Sequence, residues 1–238
     1  MRIGIVAAEQ QEIERIQTQL HGQKTKKAGM LFYEAAYGKH TVISACCGIG
    51  KVHAAVCTQI LISEYKVEQL INTGTAGSLR DTLGVFDMVV STDAVQHDVN
   101  ACVFGYRKGQ VPGTASPFWE ADAALRTCAL KAFDVMKNEA HEDFQDTHTM
   151  AAGRIASGDS FISEPIHRQS LIEHFHADCV EMEGAAIAHV CSLNDIPFVI
   201  LRCISDNAGE PALLSYQQFS EKAAKISALL VLKMLELL

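Results

Sequence analysis

Apolar and polar positions along this chain switch repeatedly between a strand-like and a helix-like pattern. Residues 2–8 form an apolar run with no polar face, which predicts a first strand covered on both sides. Glu9-Gln10-Gln11-Glu12 then opens a helix to about Leu20, its acids in the first turn where the helix dipole favours negative charge. Residues 21–28 read as a polar loop. Two β-rich runs, 30–36 and 41–47, are joined by Tyr37-Gly38-Lys39-His40 as a hairpin. Gly48-Ile49-Gly50-Lys51 breaks the second run, and 52–63 continues as an apolar helix. Leu70-Ile71-Asn72 predicts a short buried strand that runs into Thr73-Gly74-Thr75-Ala76-Gly77-Ser78, small residues that let the backbone approach a ligand.

The second half repeats the alternation. Residues 86–95 predict a strand, 121–136 a helix, and 137–150 a polar surface loop. Residues 154–159 read as a strand entering a turn. Ser163 is placed to cap a helix with Pro165 in its first turn, ending near Phe175. A strand at 179–181 precedes a helix at 184–193, and the most apolar strand, 197–204, ends in Ser205-Asp206-Asn207. Ser215 and Gln218 suit a capping box for a last helix. That helix places Phe219, Ala223, Ile226, Leu230, Met234 and Leu237 at core spacing. Strands alternating with helices predict an α/β fold in a single domain, 1–238, with a mixed, mostly parallel central sheet flanked by helices. In such sheets ligands bind beyond the strand ends. Glu12, Gly48 and Gly50, Thr75 and Gly77, Glu181 and Glu183, and Asp206 all fall there.

Composition narrows the options. At 238 residues and 48% hydrophobic, the chain can bury a full core. A net charge of −8 without a basic stripe argues against nucleic acid and anionic membrane as partners. Eight cysteines lie mostly in apolar runs with no metal-ligand spacing, as small core residues do in a reducing compartment. The histidines show no ligand spacing either, and neither metal nor cofactor is expected. The opening apolar run is too short for a signal peptide or membrane span, so a soluble, cytoplasmic protein is expected.

Candidate chemistry centres on Val180-Glu181-Met182-Glu183-Gly184. Strand alternation would turn Glu181 and Glu183 to one face and Met182 to the other. Such a pair suits a sugar with vicinal hydroxyls: carboxylates accept its O–H groups while the thioether packs on its carbon face. Solvated acids ahead of a helix would give the same five residues. Taken alone, Glu12 reads as a first-turn helix acid and Asp206 as a cap or turn residue. Arg202, inside an apolar strand beside Asp206, is less ordinary, since a buried arginine needs a partner.

Five segments in order resemble the 5′-methylthioadenosine/S-adenosylhomocysteine nucleosidases of the nucleoside phosphorylase superfamily. They are Cys47-Gly48-Ile49-Gly50-Lys51-Val52, Asn72-Thr73-Gly74-Thr75-Ala76-Gly77, Ser157-Gly158-Asp159-Ser160-Phe161-Ile162, Val180-Glu181-Met182-Glu183 and Arg202-Cys203-Ile204-Ser205-Asp206. The resemblance implies the nucleoside phosphorylase/hydrolase fold and hydrolysis of the N-glycosidic bond of adenine thioether nucleosides. It implies Asp206 as the acid on purine N7, Glu12 as the base that activates water, and Arg202 and Thr75 as aids to that water and the carboxylates. Glu183, with Glu181 beside it, would take the ribose hydroxyls, Met182 would pack on the sugar, and Phe161 would stack on adenine. The backbone of Ile162 would read the purine edge, with Ile49, Gly77 and Ser205 lining the same site. Tyr216 would cover the 5′ group, and Ala101, Phe104 and Pro112 would reach a neighbouring subunit's pocket, implying a homodimer.

Three departures stand out. Glu9 replaces the Met of the usual Gly-Ala-Met-x-x-Glu, Thr75 replaces a Ser, and Phe86 stands where a Gly is usual. If helical, residues 9 and 12 share a face, so an inward Glu9 would raise the Glu12 carboxyl. Alternatives in view are futalosine hydrolysis, phosphorolysis and a non-catalytic nucleoside-binding protein. Phosphorolysis needs cations for phosphate, and the early loops here carry acids.

Overall fold

The computed structural model describes residues 1–139, 144, 148–209 and 212–238. Its first half runs β1 (Arg2–Ala7), α1 (Gln10–Leu20), β2 (Gln23–Lys27), β3 (Met30–Tyr37), β4 (His40–Cys46), α2 (Lys51–Ser63), β5 (Gln69–Ser78) and β6 (Met88–Gln96). After a 3-10 turn at Cys102–Phe104 come β7 (Phe118–Glu120), α3 (Ala123–Asn138), β8 (Met150–Ser157), α4 (Pro165–Phe175), β9 (Cys179–Glu181), α5 (Gly184–Leu193), β10 (Phe198–Asp206) and α6 (Ala212–Leu237). The strands form one mixed sheet in the order β10-β6-β8-β9-β5-β1-β4-β3-β2, with β7 on β6. β5 also pairs with β10, so β5, β10, β6, β8 and β9 close into a ring. β1 lies parallel to β4 and β5, and β10 parallel to β5, while β9 meets β5 antiparallel.

Strand alternation sorts the core onto two faces. Ile3, Ile5, Val199 and Leu201 pack with Ile13 and Ile16 of α1, Phe133 of α3, and Ile226 and Leu230 of α6. Val6, Leu70, Ile200 and Ile204 pack on the other face with Cys57 and Leu61 of α2 and Ile187 of α5. Helices therefore cover both faces, as the alternation predicts, and every residue of β10 is buried. No helix among the described residues is long and apolar enough to cross a membrane.

Several local expectations need correction. The predicted polar loop at 21–28 contains β2, an exposed Gln-Lys-Thr-Lys-Lys strand antiparallel to β3. It has no buried face and so carries no alternation, and its lysines protect an open sheet edge. β7, three residues long, gave no signal either. The helix after Ser163 is preceded by Glu164 as its N-cap residue, without a side-chain cap bond, and Pro165 opens the helix. Ser215 and Gln218 lie inside α6, which starts a turn earlier, so they form no cap. Half of the predicted surface loop at 137–150 lies outside the described residues; of the rest, Lys137 and Asn138 end α3, Met150 opens β8, and Phe144 is buried, edge-on to Phe133. Cys102 is exposed rather than core, and all eight cysteines are unpaired. Phe86 has φ +74°, in the left-handed region that favours glycine, and its ring meets Phe219 edge-on at 5.6 Å.

Candidate active site

β5 does not stop at Asn72 but continues through the small residues to Ser78, and its register assembles the site. Gly77 lies opposite Asp206 on one neighbour and Val180 on the other. Between Ile204 and Asp206 the β10 ladder shifts by one residue, Ser205, which re-aims the side chains at the strand end. A cavity of about 410 Å³ opens there. Its described lining includes Ala8, Glu9, Glu12, Ile49, Thr75, Ala76, Gly77, Ser160, Phe161, Ile162, Val180, Glu181, Met182, Glu183, Ser205, Asp206 and Tyr216.

Glu12 is buried at the start of α1 and held from two sides. Its Oε2 accepts the N–H groups of Ala8 (3.1 Å) and Glu9 (3.0 Å), and its Oε1 accepts the N–H (2.9 Å) and hydroxyl (3.2 Å) of Thr75. A Cβ at Gly74 would stand 2.8 Å from Oε1, so the close approach of β5 to this carboxylate requires glycine. Burial raises the Glu12 pKa, opposed by the Arg202 charge and the bonds at Glu9 and Thr75, with Glu9's charge adding a smaller upward push. Asp206 is also raised by burial, against hydrogen bonds from Ala208 N–H (2.7 Å to Oδ1) and Ser205 Oγ (3.0 Å to Oδ2).

Glu181 and Glu183 do not form the matched pair that strand alternation suggests, because β9 ends at Glu181 and Glu183 is the residue before α5. Glu181 turns to the Arg202 guanidinium, to Ser157 Oγ, and to the N–H groups of Glu183 (3.0 Å) and Gly184 (2.8 Å). Burial pushes its pKa up, but Arg202 and these donors together hold it below the usual carboxylate value. Glu183 accepts from Gly50 N–H at 2.7 Å. Gly50, at φ +97°, is the residue before α2, so the start of that helix points at the carboxylate. Burial, then the Glu181 charge, push Glu183 up to about 8.

Arg202 does not line the cavity. It is 2% exposed and lies behind the wall, between Glu181 and Asn72 Oδ1 (2.6 Å), and acts through its neighbours. Asn72 in turn donates to Val6 O at 2.9 Å, and Ser157 Oγ accepts from Ala185 N–H at 2.7 Å. Neither Asn72 nor Ser157 is assigned a role by the sequence, although each is a polar residue inside a fully buried strand stretch, which is the signal that could have found them. Phe161 and Tyr216 meet edge-on at 5.8 Å over the opening. Tyr216 Oη donates to Glu9, so Glu9 turns toward the cavity. Ala101, Phe104 and Pro112 are not among the lining residues. Among the described residues no three His, Cys, Asp or Glu side chains are placed to hold a metal ion.

The fold and the sequence have close counterparts. The phosphorylase superfamily model matches residues 2–236, and the chain belongs to that family. Within it, the chain is 45% identical to the 5′-methylthioadenosine/S-adenosylhomocysteine nucleosidase of Treponema pallidum, over 99% of this chain and 93% of that one. The nucleosidase of Neisseria meningitidis, solved with methylthio-immucillin-A, superposes with a TM-score of 0.93 at 33% identity, covering 100% of this chain and 99% of that one. The futalosine hydrolase of Helicobacter pylori superposes with a TM-score of 0.92 at 32% identity, covering 100% and 98%. The family resemblance carried by the five sequence segments is the one these comparisons return.

Proposed function

We propose that this chain is one nucleosidase domain that hydrolyses the N-glycosidic bond of 5′-methylthioadenosine and S-adenosylhomocysteine, and of 5′-deoxyadenosine, releasing adenine and the free sugar. The observation that carries the reading is that two buried, upward-shifted carboxylic acids, Glu12 in the first turn of α1 and Asp206 at the end of β10, line one cavity. Asp206, whose carboxyl burial pushes toward its protonated form, hands its proton to purine N7, so adenine leaves as a neutral base. Glu12, with a raised pKa, is a stronger base toward water than an exposed glutamate, and Thr75 fixes its direction. Positive charge growing on the sugar is met by the surrounding carboxylates. Glu183 binds the ribose hydroxyls, Met182 packs on the sugar, and Phe161 stacks on the purine, with Ile162, Ile49, Gly77 and Ser205 completing the walls.

Water rather than phosphate is the acceptor. Among the described residues lining the cavity none is Lys, Arg or His, and the nearby Arg202 is engaged by Glu181 and Asn72. Futalosine hydrolysis is the second reading, favoured by the equally close superposition of the Helicobacter pylori enzyme. The protein works as a cytoplasmic homodimer in purine and methionine salvage. Support for the dimer comes from the apolar side chains that this chain leaves exposed, Val103 at 87% and Phe104 at 78%, with Ala101 and Pro112 in the same loop. The test is a product assay with 5′-methylthioadenosine, S-adenosylhomocysteine, 5′-deoxyadenosine and a hypoxanthine nucleoside, with and without phosphate. Adenine and free sugar without phosphate are expected, whereas a sugar 1-phosphate refutes hydrolysis. Asp206→Asn is expected to lower kcat by roughly 10²–10⁴-fold.

A further inference from the structure

Among the described cavity carboxylates, Glu9 has no part in the acid–base scheme and, unlike Glu181, no guanidinium to hold it. It stands at the start of α1, lines the cavity, and is held there by the Tyr216 hydroxyl and by Gln11 Nε2 at 3.2 Å. Burial first, then the bond to Glu9, pushes the Tyr216 phenol up, so it keeps its proton and donates. The other acids differ in charge. Arg202 balances Glu181, Glu12 is taken up by the N–H groups of Ala8 and Glu9 and by Thr75, and burial drives Glu183 and Asp206 toward their neutral forms. Among the described residues no lysine or arginine pairs with Glu9. With the purine between Asp206 and Phe161 and the sugar hydroxyls at Glu183, the 5′ substituent leaves along Ala8, Glu9, Ile49 and Tyr216.

We propose that Glu9, held by Tyr216, selects substrates by the charge of the 5′ substituent, taking nucleosides that carry an ammonium group there over those that carry a carboxylate. The inference rests on the nucleosidase reading for its substrate orientation. A carboxylate set in a largely apolar wall acts on a nearby charge more strongly than it would in water. Among the described residues that line the cavity no cation stands between Glu9 and an anionic substituent. An ammonium would find a salt-bridge partner and the Tyr216 oxygen beside it.

The test pairs two substrates of similar size, 5′-(2-aminoethylthio)- and 5′-(2-carboxyethylthio)-5′-deoxyadenosine. Both kcat/KM and calorimetric Kd are measured for wild type, Glu9→Gln and Glu9→Met. The wild type is expected to favour the amine by at least ~10-fold in both quantities, and either variant to bring the ratio near one. A ratio that the variants leave unchanged, or a wild-type preference for the carboxylate, overturns the inference. If the wild type cleaves neither compound nor 5′-methylthioadenosine, the nucleosidase reading fails. The Kd ratio still decides the role of Glu9. The Glu9→Met variant supplies the measurement should Glu9→Gln fold poorly, as judged by thermal melting.

Discussion

Glu181 and Glu183 are the same residue type, two positions apart and almost equally buried, at 8% and 6% exposure, yet their acidities move in opposite directions. Glu181 has a guanidinium and several donors around it and is held as a carboxylate. Glu183 has one backbone N–H and the charge of Glu181 nearby, and is pushed up to about 8. Burial is common to both, so the partner sets the charge. The difference divides the labour. Glu181 ties β9, α5 and β10 together, while Glu183 keeps its remaining hydrogen-bonding capacity for the cavity.

Removing the partner is the strongest way to break this contrast. Arg202→Met strands Glu181 as an uncompensated buried carboxylate and is expected to cost about 3–5 kcal/mol of unfolding free energy, read by urea denaturation. Adding Glu181→Gln to that variant is expected to recover part of the loss. A single variant that is as stable as wild type would mean that Arg202 does not hold Glu181 ionised. Ser157→Ala removes the hydroxyl that donates to Glu181 and accepts from Ala185 N–H, at a smaller cost of about 2 kcal/mol.

The smallest effect reports on Glu183. Its folded pKa lies above the ordinary value of 4.5, so its protonated form contributes fully below 4.5 and that contribution is lost as pH rises toward 8. Glu183→Gln cannot ionise. Relative to wild type it is expected to gain on the order of 1–2 kcal/mol between pH 4.5 and 8. Glu181 has the opposite sign: its lowered pKa gives stability above 4.5 that fades as the pH falls. Thermal melts across pH 4–9 that show parallel curves for wild type and Glu183→Gln would contradict the raised value.

These contrasts mark what a sequence can and cannot reveal. Glu12, Glu183 and Asp206 are legible because each stands where an apolar run ends, and in an α/β sheet that is where ligands gather. The inward turn of Glu9 is legible only through the family resemblance, because Glu9 is the extended residue before α1 and shares no helix face with Glu12. The holding network is not legible: Asn72 meets Arg202 across 130 residues and Ser157 meets Glu181 across 24, contacts that depend on strand register. Strand alternation at 181–183 misleads because β9 ends at Glu181 and Glu183 is already the residue before α5. β2 stays hidden since an edge strand with no buried face has no pattern to show. Phe86 at positive φ gives a backbone reason for the glycine usual at that position, which composition could not supply.

The ring of β5, β10, β6, β8 and β9 has a consequence for how the protein is made. β5 pairs with β10, whose residues leave the ribosome about 130 positions later, so the ring stays open until nearly the whole chain is synthesised. Until then one edge of β5 offers unpaired backbone groups, the kind of template on which nascent chains pair wrongly or aggregate. Long-range pairing of this sort also slows folding. Glu12, Glu183 and Asp206 therefore come together only at the end of biogenesis. A chain released early exposes the edge and lacks Asp206.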